Sequence, residues 1–166
     1  NVLYDLTVAC TSIVAENENG TIIHGRNLDY PAPIGLFMRN VTITTIFTDK
    51  THDNDNPIFI STTFAGYVGT FTGSVPNQYT ISSDTQLSDN ESYIENIKAI
   101  NSNYWPSGWL IRVVLMNNHD YQSAVNRLSY DNIQAPIFYI VGGRYYPDAV
   151  VITRNQTDYV NIWNIS

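Results

Sequence analysis

The chain has 166 residues, 43% of them hydrophobic, which suits one domain with a sizeable core. Eight basic residues against fifteen acidic give a net charge of −7 and an isoelectric point near 4.6, which argues against a nucleic-acid binder, since phosphates need a basic face. A single cysteine excludes an internal disulfide framework, and the longest apolar run, residues 135–141, is far too short to cross a bilayer.

Residues 1–9, rich in Val, Leu and Tyr, read as a strand. Residues 10–16 and 21–26 read as two strands joined at Asn19-Gly20, the strongest short hairpin signal. Pro31-Ala-Pro33 forms a loop, because two prolines interrupt any ladder. Residues 40–48 alternate β-branched side chains as a strand does, 51–57 are polar and turn-prone, and 57–64 form the next strand. Gly66, Gly69 and Gly73 punctuate two short strands, and 78–82 make another.

The texture then changes. Residues 91–100 read as a helix with Ile94, Ile97 and Ile100 spaced by three. Pro106 bounds a helix that Ser107 caps, with Trp109, Leu110, Val113 and Val114 on its apolar face. Asp120 caps a further helix carrying Tyr121, Ala124, Val125 and Leu128 at helical spacing. Strands return at 136–141, 149–153 and 159–163. Strands, then helices, then strands again make an α+β domain.

The candidate chemistry lies in the first hairpin. Folding back at Asn19-Gly20 brings Cys10 beside Arg26, with Asp29 three residues further on. A thiol nucleophile needs a base for its proton and charged groups to hold that base. Taken singly these residues are unremarked: a lone cysteine usually packs as a small apolar group, and an Arg/Asp pair is usually exposed and weak. A papain-like enzyme would set His24, His52 or His119 against Cys10. In that class the cysteine usually opens a helix, whereas a β-rich run follows Cys10 here. No His, Cys, Asp or Glu cluster has metal spacing and no glycine pattern cradles a phosphate, so neither metal nor cofactor is expected. Sequons at Asn19, Asn40, Asn90, Asn155 and Asn164 point to passage through the secretory pathway. Residues 1–7 lack the basic start and apolar core of a signal peptide, so the chain reads as the middle of a precursor with its export signal upstream.

The wording of several segments adds to this. Cys10-Thr-Ser-Ile-Val-Ala-Glu16 and His24-Gly-Arg-Asn-Leu-Asp-Tyr-Pro31 resemble the acid ceramidase and N-acylethanolamine acid amidase family of lysosomal N-terminal-nucleophile hydrolases. Further matches follow in family order at residues 63–69, Trp109-Leu-Ile-Arg112, Tyr139-Ile-Val-Gly-Gly143 and Val150-Val-Ile-Thr-Arg154. The resemblance implies an αββα sandwich, two stacked antiparallel sheets between helical layers. It implies one catalytic domain over residues 1–166, incomplete at both ends. Residues 1–9 then end an upstream α segment, and 10–166 begin a β subunit after self-cleavage at Ala9-Cys10. Cys10 becomes nucleophile and, through its new α-amine, base. Arg26 and Asp29 serve it, and Tyr30 lines the pocket.

Thr85 stands where the amidase branch carries a substrate-side glutamate. The family's oxyanion-stabilising asparagine lies in an Asn-Tyr-Asp segment beyond Arg154, and the 166 residues end before any such segment. The implied substrate is a fatty-acid amide, and the implied partners are an α subunit from the same precursor and a membrane surface or saposin-like activator. The short connection over residues 31–39 favours the N-acylethanolamine branch, and Thr85 favours acid ceramidase. A non-catalytic lipid-binding relative is the reading from a different class; mutation of Cys10 separates it from an enzyme.

Overall fold

The computed structural model describes residues 9–49, 56–86 and 93–165. Residues 1–8 of the strand expected over 1–9, His52 and most of its loop, and the sequon at Asn90 lie outside the described residues.

The chain opens with an antiparallel hairpin, β1 (Ala9–Glu16) and β2 (Ile22–Asp29). Its turn is longer than a two-residue Asn-Gly loop. Gly20 N donates to Asn17 O at 3.0 Å, and the Asn17 side chain accepts from the backbone N–H of Asn19 and of Thr21. Gly20, at φ +76°, takes the left-handed conformation that lets the chain re-enter the ladder.

After Pro33 comes α1 (Ile34–Asn40), followed by β3 (Thr42–Thr48), β4 (Pro57–Phe64), β5 (Thr72–Val75) and β6 (Tyr79–Thr85). The helices α2 (Tyr93–Asn101), α3 (Ser107–Asn117) and α4 (Tyr121–Tyr130) precede β7 (Ile137–Gly142), β8 (Ala149–Arg154) and β9 (Tyr159–Asn164). Strands β3 to β9 form one seven-stranded antiparallel sheet in chain order.

The connection after the prolines, which the sequence left without an element, contains α1. Two expectations change. Of the two short strands expected around Gly66 to Gly73, one forms, because Gly66 at φ +85° and the Tyr67 N–H to Phe64 carbonyl bond turn the chain instead. Ser107 begins α3 without capping it: Pro106 holds the cap position and no side chain accepts there. Asp120 does cap α4, accepting from Ser123 N at 2.8 Å.

The α+β fold has two stacked antiparallel sheets. The hairpin lies on β6 and β7, while α3 and α4 cover the opposite face of the large sheet. That opposite face supplies Phe59, Ile81, Tyr139 and Ile152, which meet Leu110, Ile111, Val114, Leu115 and Leu128 in a solvent-free core. Each such aliphatic side chain contributes roughly 1.5–3 kcal/mol by leaving water. Arg154 is buried there too. It donates to the carbonyls of Leu128, Asp131 and Asp158, and so closes the C-terminal end of α4. The outer face of the hairpin is different. Ile13 and Ile23 stand exposed there.

Gly142 fixes how closely the hairpin approaches. A Cβ on it would lie 3.2 Å from Ile22 Cγ2 and 3.4 Å from Val14 Cγ1. With Thr80 Oγ1 at 3.0 Å as well, a side chain there would fit only if these neighbours gave way.

Candidate active site

Strand alternation places Cys10, Ser12, His24, Arg26 and Leu28 on the hairpin face turned toward the large sheet. In the register Cys10 opposes Leu28 and Ser12 opposes Arg26. The Arg26 side chain is 7% exposed and held from three sides. Nη1 donates to Thr72 Oγ1 at 2.6 Å, and Nη2 donates both to the Ser83 carbonyl at 2.6 Å and to Cys10 Sγ at 3.5 Å. Its Nε faces Asp84 Oδ1 at 3.7 Å and makes no hydrogen bond among the described residues.

Burial pushes the Cys10 thiol above its usual pKa, the Arg26 guanidinium and a backbone hydrogen bond with Thr85 pull it down, and the Asp84 carboxylate pushes it up again. The balance favours the protonated thiol, so forming a thiolate here requires a base.

A polar chain continues from Asp84 under the hairpin. Ser12 Oγ donates to Asp84 Oδ1 at 2.8 Å and lies 2.8 Å from Ser82 Oγ. His24 Nε2 reaches Ser82 Oγ at 2.9 Å, and Nδ1 reaches Thr80 Oγ1 at 2.8 Å. Burial, and then the Arg26 charge, lower the His24 pKa to about 4. Both ring nitrogens thus serve hydroxyls and not the thiol, and His119 is exposed on the loop before α4, so neither takes the place a papain-like base would need.

Asp29 pairs with Ala9 in the register, so alternation sets it on the opposite strand face from Cys10, and its Oδ1 accepts from Asn27 Nδ2 at 2.5 Å. It lines the same cavity as Arg26 and Tyr30. Tyr30 packs edge-on against Phe64, with ring centroids 5.7 Å apart. Both line a cavity of about 710 Å³ between β2, α1 and strands β4 to β6. Met38, Ile60 and Phe71 give that cavity apolar walls, and Arg26 connects it to the thiol. Thr85 does not line it; its backbone touches Cys10 instead.

Asn19, Asn40 and Asn164 are exposed, whereas Asn155 is half-buried with Oδ1 accepting from Thr157 N and Asp158 N.

Sequence reasoning missed Asp84, Ser12, Ser82 and Thr72, and weighed His24 only as a rival base. Ser12 was within reach of alternation, being two residues from Cys10. The others belong to a different sheet, and only the stacking brings them in.

Comparison with known proteins gives a consistent result. Residues 10–162 match the family described as linear amide C-N hydrolases, choloylglycine hydrolase family. The N-acylethanolamine-hydrolyzing acid amidase of Rattus norvegicus is 40% identical over 164 residues, covering 98% of this chain and 43% of the relative. The acid ceramidase of Homo sapiens is 34% identical over 175 residues, covering 99% and 44%. The solved Caenorhabditis elegans N-acylethanolamine-hydrolyzing acid amidase ortholog superposes with a TM-score of 0.79 at 34% identity, covering 93% of this chain and 64% of that one. The chain thus spans less than half the length of these two curated relatives.

Proposed function

The chain belongs to the choloylglycine hydrolase family of linear amide C-N hydrolases, and from that premise we propose that it is the nucleophile-bearing part of a cysteine amidase acting on N-acylethanolamines. The observation that carries this reading is the Arg26 guanidinium donating to Cys10 Sγ at the edge of an apolar cavity.

The reaction begins with maturation. Cys10 Sγ attacks the Ala9 carbonyl carbon, the acyl group passes from nitrogen to sulfur, and water hydrolyses the thioester. Ala9 keeps a carboxylate and Cys10 gains an α-amine. That amine, with a reference pKa of about 7.7–8.0, takes the thiol proton and becomes the missing base. Asp29, paired with Ala9 in the ladder, orients the amine. Arg26 favours the thiolate.

The thiolate then attacks the substrate's acyl carbonyl. The C–N bond breaks, and the α-ammonium returns its proton to the leaving amine. A second water releases the fatty acid and the thiol.

N-Acylethanolamines are preferred to N-acylsphingosine here because the identity to the rat amidase exceeds that to the human ceramidase, 40% against 34%, and the connection after Pro31 is short. The upstream segment becomes an α subunit, and exposed Ile13, Ile23, Ile94, Ile97 and Ile100 offer it apolar surface. A membrane surface or saposin-like activator presents the lipid. The sequons and acidic balance fit a lysosomal glycoprotein. No helix among the described residues is long and apolar enough to cross a membrane.

The test uses the full-length protein and Cys10→Ala with N-palmitoylethanolamine and ceramide, side by side at acidic pH. Faster hydrolysis of the ethanolamide by the wild type alone, and one uncut band for Cys10→Ala on a denaturing gel, are expected. A ceramide preference reverses the substrate assignment. Undiminished lipid handling by Cys10→Ala, with no hydrolysis by either protein, would identify a binding protein instead.

A further inference from the structure

Arg26 is anchored more firmly than its contact with Cys10 requires. Thr72 and the Ser83 carbonyl fix the two ends of the guanidinium fork, so its position does not depend on Asp84. Asp84 is nonetheless aimed at it. Its side chain is 14% exposed, Oδ1 is clamped by the Ser12 hydroxyl at 2.8 Å, and that oxygen faces Arg26 Nε at 3.7 Å. This distance is too long for a hydrogen bond and short enough for strong charge coupling in a site shielded from water. A carboxylate kept slightly back from a cation that other groups already hold adds little to anchoring. What it changes is the field.

We propose that Asp84 is a positioning residue of the thiol centre, whose Ser12-clamped carboxylate sets how much of the Arg26 positive charge is felt at Cys10. The proposal rests on the reading of Cys10 as the nucleophile. The ionisable groups on the elements packed around Cys10 are few. Strand β2 supplies Arg26 and the neutral His24, β6 supplies Asp84, and β7 turns Phe138, Ile140 and Gly142 to the hairpin, none of them ionisable. Asp84 is thus the anionic side chain that the described residues set against Arg26 on this face. Consistent with this, its charge opposes that of Arg26 in setting the acidity of the thiol. An uncompensated Arg26 would hold the thiolate so strongly that its proton is lost early and its nucleophilicity falls with its basicity.

The experiment measures iodoacetamide alkylation of Cys10 against pH in the full-length protein, read by mass spectrometry of the Cys10 peptide. Asp84→Asn keeps size and loses charge. With Arg26 still anchored, the half-point of alkylation is expected to move to lower pH by about one unit. Asp84→Glu, which restores the charge, should return it to within a few tenths of the wild-type value. The acid limb of kcat should move with the thiol while KM stays put. A folded Asp84→Asn protein with an unshifted profile overturns the proposal. Asp84→Ser provides a second neutral variant, and failure of both neutral variants to fold would make Asp84 a structural residue and overturn it too. Alkylation is independent of amide hydrolysis. An unshifted profile with inactive Cys10→Ala therefore sinks this proposal alone, and an active Cys10→Ala sinks the functional reading alone.

Discussion

Cys10 and Arg26 meet on a diagonal of the hairpin: Arg26 opposes Ser12 in the ladder, yet its Nη2 reaches two residues along β1 to donate to Cys10 Sγ at 3.5 Å. The reach is set by Thr72 and Ser83 on the other sheet, which hold the guanidinium over the thiol. The charge at the thiol therefore depends on the stacking of the two sheets as much as on the hairpin itself.

Arg26→Ala should lower turnover at least about tenfold, because an opposite charge at this range shifts a thiol pKa by one unit or more. It should also cost about 1–3 kcal/mol of stability, since the Ser83 carbonyl and Thr72 hydroxyl lose a charged donor. Arg26→Lys keeps the charge but cannot hold all three partners with one ammonium, and should fall between. Steady-state kinetics and urea denaturation on the same preparations test both halves.

Asp29→Asn should behave differently. Asp29 lies beside Ala9 and on the opposite hairpin face from the thiol, so the variant should leave the alkylation profile of the uncut protein unchanged. In the cut protein it should remove most turnover, by loosening the freed amine. Near wild-type turnover in cleaved Asp29→Asn would remove Asp29 from the proposed machinery.

His24 predicts an acid-sensitive stability. Its pKa in the folded chain is about 4, below the 6.5 of a free histidine. The unfolded chain therefore binds the proton first. The stability is fully present above about pH 6.5, is lost progressively as pH falls toward 4, and does not fall further from this group below that. Denaturation midpoints at several pH values should show this slope for the wild type and a flatter one for His24→Gln. A parallel slope in the variant would assign the loss to other groups. At about pH 5 the folded ring is still largely neutral, and adds no second cation beside Arg26.

Sequon occupancy should follow exposure. Asn19, on the hairpin turn, and Asn40, at the end of α1, should carry glycan in protein secreted from a eukaryotic host. Asn155 should be mostly bare, since its side chain braces the turn before β9. Peptide mass spectrometry after enzymatic deglycosylation gives the occupancies directly.

The hairpin was legible in sequence because its determinants are local: a glycine that tolerates positive φ, an asparagine that folds its own turn, and β-branched flanks. Alternation then put Cys10 and Arg26 on one face. Helix α1 was hidden because Pro31, Pro33 and Gly35 are strong breakers and its seven residues carry no side-chain cap or polar face. The role of Asp84 could not be read, because it lies 74 residues from Cys10 and is brought there only by the stacking of β1 on β6. A comparably long separation hid Thr72 and Ser82. Asp29 was legible as a residue, and counting three from Arg26 along a strand already puts it on the opposite face.

The row of hydroxyls beneath the hairpin can be read as a line of oriented O–H bonds. At one end Thr80 gives its hydrogen to the Gly142 carbonyl, so His24 Nδ1 must carry the hydrogen that joins it to Thr80. At the other end Asp84 takes the hydrogen of Ser12. Only Ser82 can point either way, toward His24 or toward Ser12. A neutral His24 offers Nε2 as an acceptor and can draw that bond toward itself. A protonated His24 has a hydrogen on Nε2 already, and Ser82 must then turn to Ser12, with no movement of the backbone required. The direction of one O–H bond thereby reports the charge of the ring to the carboxylate that faces Arg26.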